Sequence, residues 1–145
     1  MCLVMILALF TIFALGSGSE GTSSTKGSTT AAETKPVEYT TVEIETLLDE
    51  LSGNAYNAQQ KWKGKYVTIE GGVVSTIDAS GKYFAIESTD DQYFLDSIRV
   101  DIPTSIRSEV MSGISNGASV TVKGKISDVG EILGYSVDAD NVSIH

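Results

Sequence analysis

The stretch Thr40–Val74, TTVEIETLLDELSGNAYNAQQKWKGKYVTIEGGVV, decides the fold. Ile44, Leu47, Leu48, Leu51, Ala55, Ala58 and Trp62 recur at three- and four-residue steps, which places them on one face of a helix. Thr40 and Glu43 have the spacing of a capping box, and Tyr39 and Ile44 that of a hydrophobic staple. Glu43, Glu45, Asp49 and Glu50 near the start, with Lys61 and Lys63 in the last turn, complement the helix dipole. Gly53 is a weak point, costing about 1 kcal/mol relative to Ala, where a kink or a close approach is expected. Gly64 suits the left-handed position that ends helices. The period then drops to two, and Tyr66, Val67, Thr68, Ile69 and Glu70 read as a strand. Gly71-Gly72 inside that strand predicts a bulge or bend before Val73-Val74. A long first strand bent at a glycine lets one strand serve both halves of a small closed barrel.

The pattern N-A-x-x-A-x-x-x-W-x-G-K-x-V-x-x-x-G from Asn54 to Gly71 resembles the start of the tRNA_anti-like family. The segment V-x-V-K-G-K, Val120 to Lys125, is similar to that family's fourth strand. The resemblance runs from about Tyr39 to the C-terminus. It implies a small bacterial OB-fold domain, often found in lipoproteins whose activities are largely uncharacterised. Its motifs are structural, so they specify a fold and not an activity.

Beyond the opening stretch the reading is consistent with that fold. Val73 to Ile77 continues the first strand, and Asp78-Ala79-Ser80-Gly81 has the chemistry of a turn. Tyr83 to Glu87 is the second strand and Tyr93 to Ile102 the third, ended by Pro103. Thr104 or Ser105 caps a short helix containing Ile106, Val110 and Met111. Val120 to Ile126 is the fourth strand, Val129 to Ile132 a hairpin turn, and Leu133 to Ile144 a fifth strand broken near Asp138 to Asn141. A helix between strands three and four of a five-stranded Greek-key barrel is the OB arrangement, so the fold class is mainly β.

The domains expected are a signal peptide or N-terminal anchor at 1–16, a flexible linker at 17–38 and an OB-fold domain at 39–145. Met1 to Gly16 carries no charge, and sixteen helical residues span about 24 Å, short of a membrane's hydrocarbon core. A secretory h-region fits this length better than a stable span. Where the family often carries Leu-x-Gly-Cys, this chain reads Ala14-Leu15-Gly16-Ser17, and a serine cannot take the thioether-linked lipid. The segment is thus cleaved as an ordinary signal, kept as an anchor that associates with membrane, or preceded by a natural start further upstream. Residues 17–38 are rich in Gly, Ser, Thr and Ala without a period, as in a tether. Cys2 is the one cysteine and lies in the leader, which leaves the domain without disulfides. The location expected is the cell envelope or beyond.

The chain of 145 residues has a net charge of −9, and Glu20 and Glu33 offset Lys26 and Lys35, so that charge sits on residues 37–145. An acidic domain repels phosphate backbones, which counts against nucleic acid as partner. Enzyme chemistry is poorly supplied. His145 is the one histidine and the last residue, and no H-E-x-x-H, P-loop or G-x-S-x-G pattern is present. No catalytic residue, metal or cofactor is expected. Asp90, Asp91, Asp96, Asp101, Asp138 and Asp140 lack the D-x-D-x-D-G spacing of a calcium loop and read as solvated turn and edge charges. Lys61, Lys63 and Lys65 read as helix-end charges, and Lys123 and Lys125 as protection of a strand, with an anion contact as the functional alternative.

OB-folds bind single strands by stacking bases on exposed rings beside basic residues. Alternation makes Tyr83 and Tyr93 outward while Phe84 and Phe94 fill the core. Trp62 belongs to the core. The ligand-contacting candidates are therefore Tyr66, Tyr83, Tyr93, Lys123 and Lys125. Two functions follow: an exported, non-enzymatic module that binds a protein or envelope component, or a single-stranded nucleic-acid binder using aromatics of the first three strands.

Overall fold

A computed structural model of the chain describes residues 36–93 and 95–145. The leader and nearly all of the linker expected from the sequence, and Phe94, lie outside the described residues.

β1 (Thr40–Glu43) leads into α1 (Ile44–Gly53) and α2 (Ala55–Trp62). The barrel follows: β2 (Tyr66–Ile77), β3 (Tyr83–Glu87), β4 (Ser97–Asp101), then α3 (Thr104–Gly113), β5 (Ser119–Gly130) and β6 (Gly134–Ile144). Hydrogen bonding runs β2-β3-β4-β6-β5 and closes from β5 back onto β2. β4 and β6 are parallel, and the other barrel pairs are antiparallel. With α3 between the third and fourth barrel strands, this is the five-stranded OB-fold barrel.

The strand handover falls where the periodicity changes. Gly64 is left-handed at φ 82°, and β2 starts two residues later. Gly71, at φ 78°, marks the irregularity between Ile69 and Gly72 at which β2 bends. Before the bend β2 pairs with β1 and β5; beyond it β5 continues as far as Val73 while β3 takes the other edge from Val73 to Ile77, so the bend lets one strand join two sheet faces. Inward alternation yields a core of Val67, Ile69, Val74, Phe84, Ile86, Ile98, Val100, Val122, Ile126 and Val137. Ile44, Leu47 and Leu48 of α1 and Ala58 and Trp62 of α2 join the same cluster.

Four expectations need correction. Thr40–Glu43 is no capping box: it is a strand, parallel to Val67–Glu70, and Glu43 precedes α1 without a side-chain cap bond. The β2 edge at 67–70 lacks β3 as a neighbour, and Thr-Thr-Val-Glu has the composition to fill it. The single long helix is two. Asn54 adopts an extended conformation, and its side chain accepts from the Asn57 amide at 3.1 Å, restarting the chain as α2. α3 is entered through Pro103 rather than a hydroxyl cap. Finally, β4 is shorter than read, because Asp91–Tyr93 forms a 3-10 turn. The Asp90 carboxylate accepts from the Gln92 amide at 3.0 Å, and the Tyr93 amide returns to the Asp90 carbonyl, so local bonds win over the ladder.

The break expected near Asp138–Asn141 is a bulge within a continuous β6. Lys123 pairs with Asn141 and Gly124 with Ala139, which leaves Asp140 as the extra residue. The hairpin turn is Glu131–Leu133, slightly later than read.

Candidate functional site

The β2–β5 register brings three of the five candidates together. Tyr66 stands opposite Lys125, and Thr68 opposite Lys123, so alternation turns Tyr66 and both lysines to the same outer face. Lys125 Nζ lies 5.8 Å from the Tyr66 ring centre. Tyr39 is no helix staple: it packs edge-on to Tyr66 with centres 5.8 Å apart and planes at 82°. Lys123 Nζ is 6.0 Å from the Tyr39 ring. The Tyr39 hydroxyl donates to the Asp140 carboxylate at 2.9 Å, and this bond raises the phenol's pKa. The bulge at Asp140 and strand β1 thus complete the cluster, and both are non-local features. The cations sit near the outer limit of cation–π attraction. The perpendicular rings form no flat pair.

Tyr83 lies elsewhere, on the β3–β4 face, and its ring is already covered. Arg99 stacks on it with Cζ 3.9 Å from the centre. The guanidinium also grips Asp101, Nε reaching both carboxylate oxygens at 3.0 Å and the Nη2 group one of them at 2.8 Å. The Asp101 bond holds the Arg99 pKa above its ordinary value. The cation on this face is neutralised, and the tyrosine is engaged.

Tyr93 is not on a strand face at all. It is buried, with its hydroxyl on the Asp49 carboxylate of α1, and that bond pushes its pKa up to about 12. The tyrosine is an anchor between the 3-10 turn and the helix. An Asp at a turn start, two residues before Gln92, was the local signal for this.

The helix-end lysines meet carboxylates: Lys61 reaches Glu50 at 2.5 Å and Lys63 reaches Asp128 at 2.9 Å. Trp62 is core as read, and its indole N–H also donates to Glu50 at 2.5 Å, tying α2 to α1. Burial disfavours the charged Glu50, but the bonds from Lys61 and Trp62 outweigh it and hold its pKa below the usual value.

His145 places Nε2 3.0 Å from Thr121 Oγ1, an exposed contact. A nucleophile–base pair needs a third group to orient the imidazole, and no carboxylate bonds that ring among the described residues. Among those residues, no three His, Cys, Asp or Glu side chains gather as a metal site. No described helix is long and apolar enough to cross a membrane.

The tRNA_anti-like family model matches residues 1–134. No curated protein matches the chain. Among solved structures, the chain is similar to a Klebsiella pneumoniae protein proposed to be a nucleic acid-binding lipoprotein. The two share 19% identity over 74% of this chain and 92% of the other, with a TM-score of 0.52. The chain is also similar to the hypothetical protein YgiW from E. coli, at 13% identity over 74% and 98% of the two chains and a TM-score of 0.42. At 19% identity the likeness to the Klebsiella pneumoniae protein is one of fold.

Proposed function

The chain belongs to the tRNA_anti-like family of OB-fold domains, and from that premise we propose that it is an exported, non-enzymatic binding or adaptor module whose ligand is a protein or envelope component. The observation that carries this reading is the Tyr83–Arg99–Asp101 arrangement. On the β3–β4 face the aromatic ring and the cation, the pair a base and a phosphate would need, bind each other and a carboxylate. The net charge of −9 adds repulsion of any polyanion. The uncharged run at residues 1–16 and the Gly/Ser/Thr-rich stretch after it support export and a tether. The test is capture of a protein from envelope extract by the immobilised chain, before and after nuclease treatment. Capture that survives nuclease supports the reading; capture that nuclease abolishes sinks it.

A second reading, single-stranded nucleic-acid binding, is favoured by the Tyr39–Tyr66–Lys123–Lys125 cluster. Two lysines releasing counterions from single strands give log K against log salt a slope of about −1.4. Titration of labelled oligonucleotides across a salt series reads that slope. No binding at low salt removes this reading.

A further inference from the structure

The β5–β6 hairpin turns through Glu131, Ile132 and Leu133 between the paired Gly130 and Gly134. Gly134 takes the left-handed conformation, φ 68°, that such a three-residue turn demands. The side chains at the tip are therefore free of backbone duty, and tips of this kind are usually polar. Here Ile132 is 93% exposed and Leu133 82%. Leu95, in the loop before β4, is 82% exposed, and Tyr56, in the first turn of α2, 69%.

These residues border two adjoining grooves. One, of about 400 Å³, runs between the α1–α2 junction with Tyr56, Asp96 and Glu131. The second is lined by Leu95, Ile132 and Leu133, and shares Leu51, Asp96 and Glu131 with the first. Both grooves are lined mainly by polar atoms, and the apolar surface lies beside them at the hairpin tip, where Ile132 and Leu133 border a shallow, mostly apolar concavity with Asp128, Gly130 and Glu131. Single exposed leucines need no explanation, but exposed apolar side chains gathered beside polar grooves mark an interaction surface.

Charge selects the occupant. Asp96 and Glu131 line both grooves, and among the described residues neither forms a salt bridge. A second copy would bring an equal net charge of −9 against this acidic face, and an anionic bilayer repels a chain of that charge. A basic segment removes both penalties. Resting on the reading of the chain as a protein-binding module, we propose that this end of the barrel docks a partner-protein segment that carries apolar side chains flanked by Lys or Arg. Ile132 and Leu133 anchor it, and Asp96 and Glu131 form the complementary rim.

The test uses the full chain and two labelled short peptides, one alternating Leu with Lys and one alternating Leu with Glu. The Leu/Lys peptide binds, and both Ile132→Ser/Leu133→Ser and Asp96→Asn/Glu131→Gln weaken it by about tenfold or more. Glu38→Gln/Glu109→Gln, the same charge change at exposed positions outside both grooves, leaves binding unchanged. All the substituted positions are solvent-exposed or at a groove edge, and thermal melts confirm that the variants fold. Equal binding by wild type and both groove variants overturns the proposal, as does equal binding of the two peptides. Concentration-dependent dimerisation, or flotation with phosphatidylethanolamine/phosphatidylglycerol vesicles, that is lost in Ile132→Ser/Leu133→Ser also overturns it. Nuclease-resistant protein capture that survives the groove substitutions sinks this inference alone; nuclease-sensitive capture sinks the reading beneath it.

Discussion

The hydroxyl of Tyr135, on a fully buried side chain of β6, donates to the main-chain carbonyl of Leu47 on α1 at 2.9 Å. Burial raises the pKa of this phenol above its ordinary value. One bond thus joins the last barrel strand to the first helix, across most of the chain. Tyr135→Phe keeps the packing and loses the bond, so urea unfolding is expected to show a loss of about 1 kcal/mol. Tyr135→Ala adds a cavity and is expected to cost about 4 kcal/mol. Equal midpoints for Tyr135→Phe and wild type would refute the pin.

Glu50 holds α1 to α2 through Lys61 and Trp62. Its folded pKa lies below the unfolded value of 4.5, so its contribution is fully present above pH 4.5 and fades as pH falls through the folded value. Glu50→Ala leaves the indole N–H unpartnered and is expected to cost about 2 kcal/mol at neutral pH. Thermal melts from neutral to acid pH should show the gap between variant and wild type closing in that acid window. A gap independent of pH contradicts the assignment.

Tyr93 titrates at the opposite end of the scale. Its folded pKa is about 12 against 10.0 unfolded, so the folded state keeps the proton longer. Stability from this group is present below pH 10.0 and is lost as pH rises toward about 12. Tyr93→Phe removes the titrating group, and its melting temperature should fall less steeply across that alkaline range. Parallel curves for the two proteins would dismiss the link to Asp49.

Gly124 lies where β5 passes the β6 bulge, and a Cβ there would sit 2.3 Å from the Asp138 carbonyl oxygen and 3.0 Å from Ala139 Cα. Both obstacles are backbone, so neither can swing aside. Gly124→Ala is expected to cost about 3 kcal/mol, with amide protection lost first along β5 and β6. An alanine accommodated without loss would mean that the bulge is soft.

The two N-terminal signals separate by mutation. Asn54→Ala removes the side-chain cap of α2 and is expected to cost about 1 kcal/mol. Thr40→Ala touches only an exposed strand position, and its effect is expected within about 0.5 kcal/mol. A larger loss at Thr40 than at Asn54 would restore the capping box.

The helix-to-strand handover at Gly64 and the bend at Gly71 are legible because both depend on periodicity and on backbone conformations that favour glycine. The gathering of Lys123 and Lys125 on one face with Tyr66 is half legible. Alternation turns each outward, but only the β2–β5 register sets them side by side. Tyr39 joins them through β1 and the Asp140 bulge, neither of which has a local signature. Tyr83 and Tyr93 look alike in sequence, yet one lies under Arg99 on a strand and the other is buried against a helix.

The class of fold follows from the chain's residues alone: periodicity and turn chemistry act over a few neighbours and survive without context. Long-range packing makes Thr40–Glu43 a strand, Tyr93 an anchor and Arg99 the cover on Tyr83. Each of those outcomes is a competition between a local preference and a distant partner. The partner's position is set by closure of the barrel, which no short window of residues contains.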